Sequence, residues 1–330
     1  EYCLYIGIPF CPTRCLYCSF TSYPIGVYKD KVDAYLDTME KEMEYVAASY
    51  TEKKLVSIYI GGGTPSSISA EQMDRLCSMI EKHFDLSQVR EYTIEAGRPD
   101  STTADKLQVM KAHGVGRISI NPQTMNGETL KLIGRAHTPE QAEEAFKRAR
   151  EAGFDNINMD LIVGLPGEDA EMVKRTLEKV KKLAPESLTV HTLAIKRAAH
   201  LKQEMDKYSF AGDVDEQLSL VGQAAEELGL APYYLYRQKN MAGNLENVGY
   251  ARHGLECLYN ILIMEERTDI IGIGAGSSSK LIRREGDSDP VTGEMITGTR
   301  IDRVENCKSV DDYIARIDEM IDRKKQAFAK

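Results

Sequence analysis

No stretch of the chain approaches the ~20 uninterrupted apolar residues that a spanning helix needs, which excludes an α-helical membrane span. Basic charge is also short. Against 51 Asp and Glu stand 42 Lys and Arg, a formal charge of −9, which argues against a dedicated duplex nucleic-acid binder and its basic face. Cysteine is sparse, seven in 330 residues, too few for a disulfide scaffold. No signal peptide, internal repeat or low-complexity linker is visible. The chain starts without Met and enters an apolar run by residue 3, as a fragment of a longer protein does. What is present, 42% hydrophobic residues, rules out disorder. The length allows one large domain or two smaller ones, burying roughly three quarters of the unfolded surface. Cys11, Cys15 and Cys18 are crowded together, while Cys3, Cys77, Cys257 and Cys307 lie apart among apolar neighbours. That distribution points to a reducing, cytoplasmic setting and a ligand cluster.

Short β-rich runs alternate with helical patterns. Cys3–Ile8, Leu55–Ile60, Glu91–Glu95, Gly116–Asn121, Ile157–Val163 and Ser187–Ala194 read as strands, rich in Ile, Val, Tyr and Thr and bounded by turn residues. Between the first two, Val32, Tyr35, Leu36, Met39, Met43 and Val46 repeat at helical spacing. Ser69 with Gln72 makes a capping box, and Thr138-Pro139 opens another helix as N-cap and first helical residue. Further helices are expected over Glu168–Leu183, Asp213–Leu228 and Val310–Phe328, with β structure at Tyr233–Tyr236, Ile270–Ile273 and Gly293–Arg303. Six strand–helix units fit either a partial barrel or an open doubly wound sheet. Unusual residues follow at least four successive strands, as barrel chemistry does, whereas an open sheet would gather its site at one switch point. The expected fold is therefore an α/β partial (β/α)6 TIM-like barrel over residues 1–195. Residues 196–330 form an accessory α+β region packed over its open side.

Cys11-x-x-x-Cys15-x-x-Cys18 sits on a loop whose start is restricted by Pro9 and Pro12. Three thiolates at this reach suit one corner of a cubane iron–sulfur cluster. Three ligands on four irons leave one iron open to chelate an amine and a carboxylate of a small molecule. A zinc site is the alternative, but it needs a fourth ligand that the sequence does not place. Gly61-Gly62-Gly63-Thr64-Pro65 follows the second strand, where a backbone without side chains lets a ligand approach closely.

Cys11-Pro-Thr-Arg-Cys15-Leu-Tyr17-Cys18 followed by that glycine run resembles the radical S-adenosylmethionine (SAM) enzymes. Tyr5-Ile-Gly-Ile-Pro-Phe-Cys11, Gln123, Gly134-Arg135, Asp160-Leu-Ile-Val-Gly-Leu-Pro166-Gly and Gly272-Ile-Gly274 narrow the resemblance to the oxygen-independent coproporphyrinogen III oxidases and their relatives. Tyr233-Tyr-Leu-Tyr-Arg237-Gln-Lys-Asn240 and Glu246-Asn-Val-Gly-Tyr250 look most like the anaerobic coproporphyrinogen dehydrogenase branch. The resemblance implies that Cys11, Cys15 and Cys18 hold a [4Fe-4S] cluster. It implies that Tyr5, Tyr17, Gly62, Gly63, Thr64, Glu95, Gln123, Arg135, Asp160 and Ala194 contact one or two molecules of SAM. It implies oxidative decarboxylation of coproporphyrinogen III propionates to vinyl groups through a 5′-deoxyadenosyl radical. The partners implied are a tetrapyrrole and a one-electron donor such as flavodoxin or ferredoxin.

From charge and placement, Arg98, Arg197, Arg237 and Lys239 are the candidates to receive propionates. His191 reads as a satisfied core histidine, and a structural pair of Asp160 with Arg135 is the alternative to ligand binding. By family position the Gly272–Gly276 loop closes over the active site, while the Tyr233, Tyr234 and Tyr236 group reads as core or substrate platform. Two departures stand out. The oxidases carry a fourth cysteine two residues after the third, where this chain has Phe20, a departure shared with the related haem chaperones. Those chaperones carry His-Asn-x-x-Tyr-Trp, where this chain has Glu246-Asn247-Val248-Gly249-Tyr250-Ala251. Haem delivery without decarboxylation and radical chemistry on another tetrapyrrole therefore stand as alternatives.

Overall fold

A computed structural model of the chain describes residues 1–18, 20–193, 212–236, 247–290 and 292–328. Ala194, Arg197, Arg237 and Lys239, with the Asn240 and Glu246 ends of their motifs, lie outside the described residues.

Six parallel strands run β1 (Tyr2–Ile8), β2 (Leu55–Gly62), β3 (Glu91–Glu95), β4 (Arg117–Ser119), β5 (Ile157–Val163) and β6 (Ser187–Thr192), neighbours in that order. The helices α1 (Val32–Ser49), α2 (Ala70–His83), α3 (Ala104–Ala112), α4 (Gly127–Leu132), α5 (Pro139–Glu151) and α6 (Ala170–Leu183) fill the crossovers. The expected Ser69–Gln72 capping box forms, and Thr138, expected as an N-cap before Pro139, forms a second one with Gln141. They satisfy amide groups that a helix start leaves without partners.

The chain beyond residue 195 builds onto both edges of this sheet. Helix α7 (Val214–Glu227) leads to β7 (Ala231–Tyr236), which pairs antiparallel with β8 (Asn247–Ala251), and β8 pairs antiparallel with β6. After α8 (Leu258–Glu265), β9 (Asp269–Ile273) lies parallel to β1. Strands β10 (Ser278–Arg283) and β11 (Arg300–Glu305) follow antiparallel beyond it. The resulting eleven-stranded sheet ends at β11 on one side and β7 on the other, so the barrel stays partial. The chain closes with α9 (Val310–Ala315) and α10 (Ile317–Phe328).

Several elements differ from the expected ones. Val310–Phe328 is two helices, broken at Arg316 (φ −122°, ψ 28°). In Gly293–Arg303, Met295 makes one isolated antiparallel bridge to Ser288 and the strand itself begins only at Arg300; it pairs with Ser278–Arg283, a serine-rich segment with no strand pattern of its own.

Strand alternation sorts the side chains. Leu4, Ile6, Ile8, Ile58 and Ile60 face outward into one core with Val32, Leu36, Met39 and Met43 of α1. Cys3, Val56, Ile270, Cys257 and Tyr259 form a second cluster inside the barrel, with Tyr5 and Tyr59 packed on it. Helix α8 thereby plugs the interior. Its first amides, Leu258 N and Tyr259 N, donate to the Glu91 carboxylate at 2.5 and 3.1 Å, so a barrel-strand acid stands at the helix's positive end.

Candidate functional site

Above this plug the interior opens into a cavity of about 350 Å³ at the C-terminal ends of the strands. Cys11, Cys15 and Cys18 line it together with Tyr17, Gly62, Gly63 and Thr64, and Glu95, Gln123, Arg135 and Asp160 line it as well. Residues expected from distant parts of the chain thus share one space.

The cysteine loop is held from three sides. Cys11 Sγ and Thr64 Oγ1 share a hydrogen bond at 3.3 Å. Leu16 N donates to Ile133 O at 2.9 Å, and Thr13 Oγ1 to Gly134 O at 3.1 Å. Arg98, buried at 3% exposure, forms a two-point pair with Asp100 at 3.1 and 3.2 Å and donates to Thr13 O and Cys15 Sγ. Its guanidinium, expected to meet substrate, is engaged by the loop and by Asp100. Burial pushes the Cys11 thiol up to about 11, the Thr64 contact opposes this, and the neighbouring Cys15 and Cys18 add to it. Among the described residues no group of three or more Cys, His, Asp and Glu stands close enough to hold one metal ion. Cys11, Cys15 and Cys18 all line the cavity, and three thiols on one short loop suit one corner of a multi-iron cluster.

Backbone room is reserved beside the loop. A Cβ on Gly63 would stand 2.7 Å from Phe10 O and 3.0 Å from Cys11 Sγ, and one on Gly61 would stand 2.9 Å from the Tyr59 ring. Tyr17 Oη accepts from Arg135 at 3.1 Å, and Arg135 also donates to Gly97 O at 3.4 Å. Arg135 therefore does not pair with Asp160, and the structural pairing considered from sequence is not formed. Asp160 instead accepts from Asn158 Nδ2 at 2.6 Å. Gln123 adopts a left-handed backbone (φ 68°) that bridges to β5, donating to Asp160 O and accepting from Ile162 N. Its Oε1 atom, Asn121 Oδ1 and Arg135 Nε are buried with no hydrogen-bond partner among the described residues. Orphaned polar atoms around a cavity are what a polar ligand would satisfy, so the residues present fit a small molecule with amine, carboxylate and hydroxyl groups.

Glu95 accepts from Tyr59 Oη at 2.5 Å. Burial raises its pKa from 4.5 to about 7; the Tyr59 bond opposes that rise, and the charge of Asp160 adds to it. His191 corrects its core reading. It lines the cavity with a 36% exposed side chain, its Nε2 3.8 Å from Asp160 Oδ2. Tyr234 also lines the cavity, whereas Tyr236 is 43% exposed, so the tyrosine group is divided. Tyr5 lies against Tyr59 and Tyr259 and lines a neighbouring cavity instead. Ala275 and Gly276 of the Gly272–Gly276 loop line that neighbouring cavity too. Arg117, Asn121, Asn158 and Thr189 line the main cavity without having been singled out from sequence, as does Asn247, which sequence named only within a motif. The readable signal was polarity at every second position of apolar strands, as in Asn158-Met-Asp160 and Thr189-Val-His191.

Known proteins resemble this chain in sequence and in fold. The family described as the radical SAM superfamily matches residues 5–180. The oxygen-independent coproporphyrinogen-III oxidase-like protein HemZ of Bacillus subtilis is 49% identical over 290 residues, covering 86% of this chain. The chain spans only 58% of that relative's length. The heme chaperone HemW of Lactococcus lactis is 33% identical, covering 84% of this chain and 69% of that protein. The solved structure of Escherichia coli coproporphyrinogen III oxidase (HemN), a radical SAM enzyme, shares the fold at a TM-score of 0.73 and 23% identity, covering 97% of this chain and 70% of that one. No described helix is long and apolar enough to cross a membrane. The chain belongs to the radical SAM superfamily, which implies a [4Fe-4S] cluster and SAM, and within it is similar to both oxygen-independent coproporphyrinogen-III oxidase-like and heme chaperone proteins.

Proposed function

We propose that the chain is a cytoplasmic radical SAM enzyme that decarboxylates coproporphyrinogen III propionates to vinyl groups without oxygen. Residues 1–195 would form its catalytic barrel and 196–330 its accessory region. The observation that carries this reading is one cavity joining three thiols to facing carboxylate, amide and guanidinium groups. Cys11, Cys15 and Cys18 hold the cluster. When bound, the cluster and SAM supply the one-electron chemistry that starts a radical on the substrate.

The chain's own residues bind and orient. Gly62 and Gly63 let the ligand approach the backbone, and Thr64 steadies Cys11. Glu95 and Asp160 accept from hydroxyl and ammonium groups, Gln123 offers an orphaned amide oxygen, and Arg135 offers an orphaned Nε toward a carboxylate. Tyr17, in hydrogen-bond contact with Arg135, supplies an aromatic wall. SAM occupies this cavity as one molecule or as one of two, and a small acidic redox protein such as flavodoxin or ferredoxin supplies the electron.

A second reading is haem binding and delivery. Relatives named heme chaperones favour it, together with Phe20 at the place of the oxidases' fourth cysteine. Anaerobic incubation of reconstituted protein with SAM, a strong reductant and coproporphyrinogen III, read by mass spectrometry, separates the two. The first reading expects loss of two CO2 from the porphyrinogen, with 5′-deoxyadenosine, both abolished by Cys15→Ala. An intact cluster with neither product, and tight haem binding, would reject it in favour of the second.

A further inference from the structure

Arg98 stands just beyond β3 with a side chain only 3% exposed, where the cysteine loop meets the main cavity. A buried cation is costly unless it is paired, so its partners determine what it does. Nε donates to Asp100 Oδ1 at 3.1 Å, and Nη2 donates to Asp100 Oδ2 at 3.2 Å and to Thr13 Oγ1 at 3.0 Å. Nη1 donates to Thr13 O at 3.3 Å and to Cys15 Sγ at 3.6 Å. These contacts use every N–H group that a guanidinium has. The cation therefore stands between the Asp100 carboxylate, on its Nε edge, and the sulfur of Cys15, on its Nη1 side.

The backbone behind the fork is fixed as well. Arg98 O accepts from Ser101 N at 2.9 Å, Ser101 Oγ at 3.0 Å and Thr102 Oγ1 at 2.9 Å, across the short turn Pro99–Ser101. Ser101 Oγ in turn shares a hydrogen bond with Ser66 Oγ at 2.8 Å, beside the glycine run after β2. A guanidinium locked in this way does not swing toward a substrate carboxylate without releasing the loop. It is preorganised toward one sulfur of the cysteine loop instead.

A hydrogen bond and a fixed positive charge at a ligand sulfur draw electron density from the metal–thiolate bond. Both favour the more negative, reduced state of an iron–sulfur centre. We infer that Arg98 is a positioning residue for electron entry, whose Nη1 bond to Cys15 raises the reduction potential of the cluster, while Asp100 orients the fork and offsets part of its charge. The step is a one-electron transfer: the donor protein is oxidised by one electron, the cluster is reduced by one, and no bond or proton moves. This rests on the reading of Cys11, Cys15 and Cys18 as cluster ligands and is independent of the substrate.

The experiment is a redox titration of reconstituted protein without SAM, followed by electron paramagnetic resonance, with iron and sulfide counted on the same samples. Arg98→Met, of similar length and without charge, should make the cluster harder to reduce. The ratio of reduced to oxidised cluster at a fixed solution potential is expected to fall about tenfold, which is ~59 mV for one electron. Asp100→Asn keeps the shape of the acid without its charge and should move the ratio the opposite way. Arg98→Lys keeps the charge without the fork and should recover part of the loss. A role confined to holding the loop lowers the iron bound by Arg98→Met but leaves the potential of the assembled cluster unchanged, and that result overturns the inference. If Arg98→Met assembles no cluster, Asp100→Asn is decisive, and a potential unmoved or more negative in that variant overturns it too. Wild-type protein that takes up no four-iron cluster removes the cluster reading and this inference with it.

Discussion

At Glu95 two effects oppose one another: burial disfavours the carboxylate, and the Tyr59 hydroxyl stabilises it. Burial prevails, and the folded pKa of about 7 exceeds the ordinary 4.5. Below pH ~4.5 both folded and unfolded chains hold the proton, so Glu95 has no effect on stability. Between the two values only the unfolded chain loses the proton, so stability falls as pH rises, and above about 7 the penalty is constant. Ligand-free wild-type protein should therefore lose melting temperature from pH 5 to pH 8 relative to Glu95→Gln; parallel curves would show that Glu95 is not the titrating group. Gly63 argues from space instead of charge. An alanine there would press on Phe10 O and Cys11 Sγ, so Gly63→Ala should lower stability by about 1–3 kcal/mol and reduce iron bound on reconstitution. Residues of this kind were legible because their chemistry is local: cysteine spacing and a glycine run announce themselves. His191 and Arg117 were not, since a polar residue in an apolar strand shows its position along the strand but not whether its face is solid core or cavity.

Among the elements, those governed by local signals matched the sequence closely. Glu91–Glu95 and Ile157–Val163 stand at the expected bounds, the Ser69–Gln72 capping box closes, and Thr138 caps the helix that Pro139 opens. The segments read less well are those whose conformation is set by distant partners. Ser278–Arg283 lacks an apolar pattern and is a strand because Arg300–Glu305 pairs along its whole length. The cysteine loop is likewise held by another element, the turn after α4. Gly134 there has φ 77°, and a Cβ would meet Arg14 O at 3.2 Å. Gly134→Ala should therefore loosen the loop and lower iron content after reconstitution. Thr138→Ala, four residues on, removes only a helix cap and should cost about 1 kcal/mol with iron content unchanged. Equal iron in both variants would show that the loop does not depend on this turn.

Across the whole molecule, the sheet is continuous through the point where strand–helix alternation stops, because β9 returns to pair with β1. No local pattern announces that pairing, which is why the later residues read as a separate region. A buried polar centre fastens the two ends of the chain. Glu42 on α1 is fully buried and accepts from Lys324 at 2.6 Å, Asn306 at 2.8 Å and Gly274 N at 2.9 Å, and Tyr313 donates to it as well. Each charge was visible as an anomaly, Glu42 in phase with Met39 and Met43, Lys324 in phase with Ile317 and Met320, yet only the fold pairs them. The centre also bears on the neighbouring cavity, since Gly274 opens the loop that carries Ala275 and Gly276. Removing one partner leaves the other charge buried without its counter-ion, whereas removing both leaves an apolar contact. Lys324→Met should therefore lower unfolding free energy by about 3–5 kcal/mol in urea titration. The Glu42→Met/Lys324→Met double variant should recover part of that loss. Simple additivity of the two single losses would show that the pair acts as two independent core residues and does not couple the C-terminal helix to the barrel.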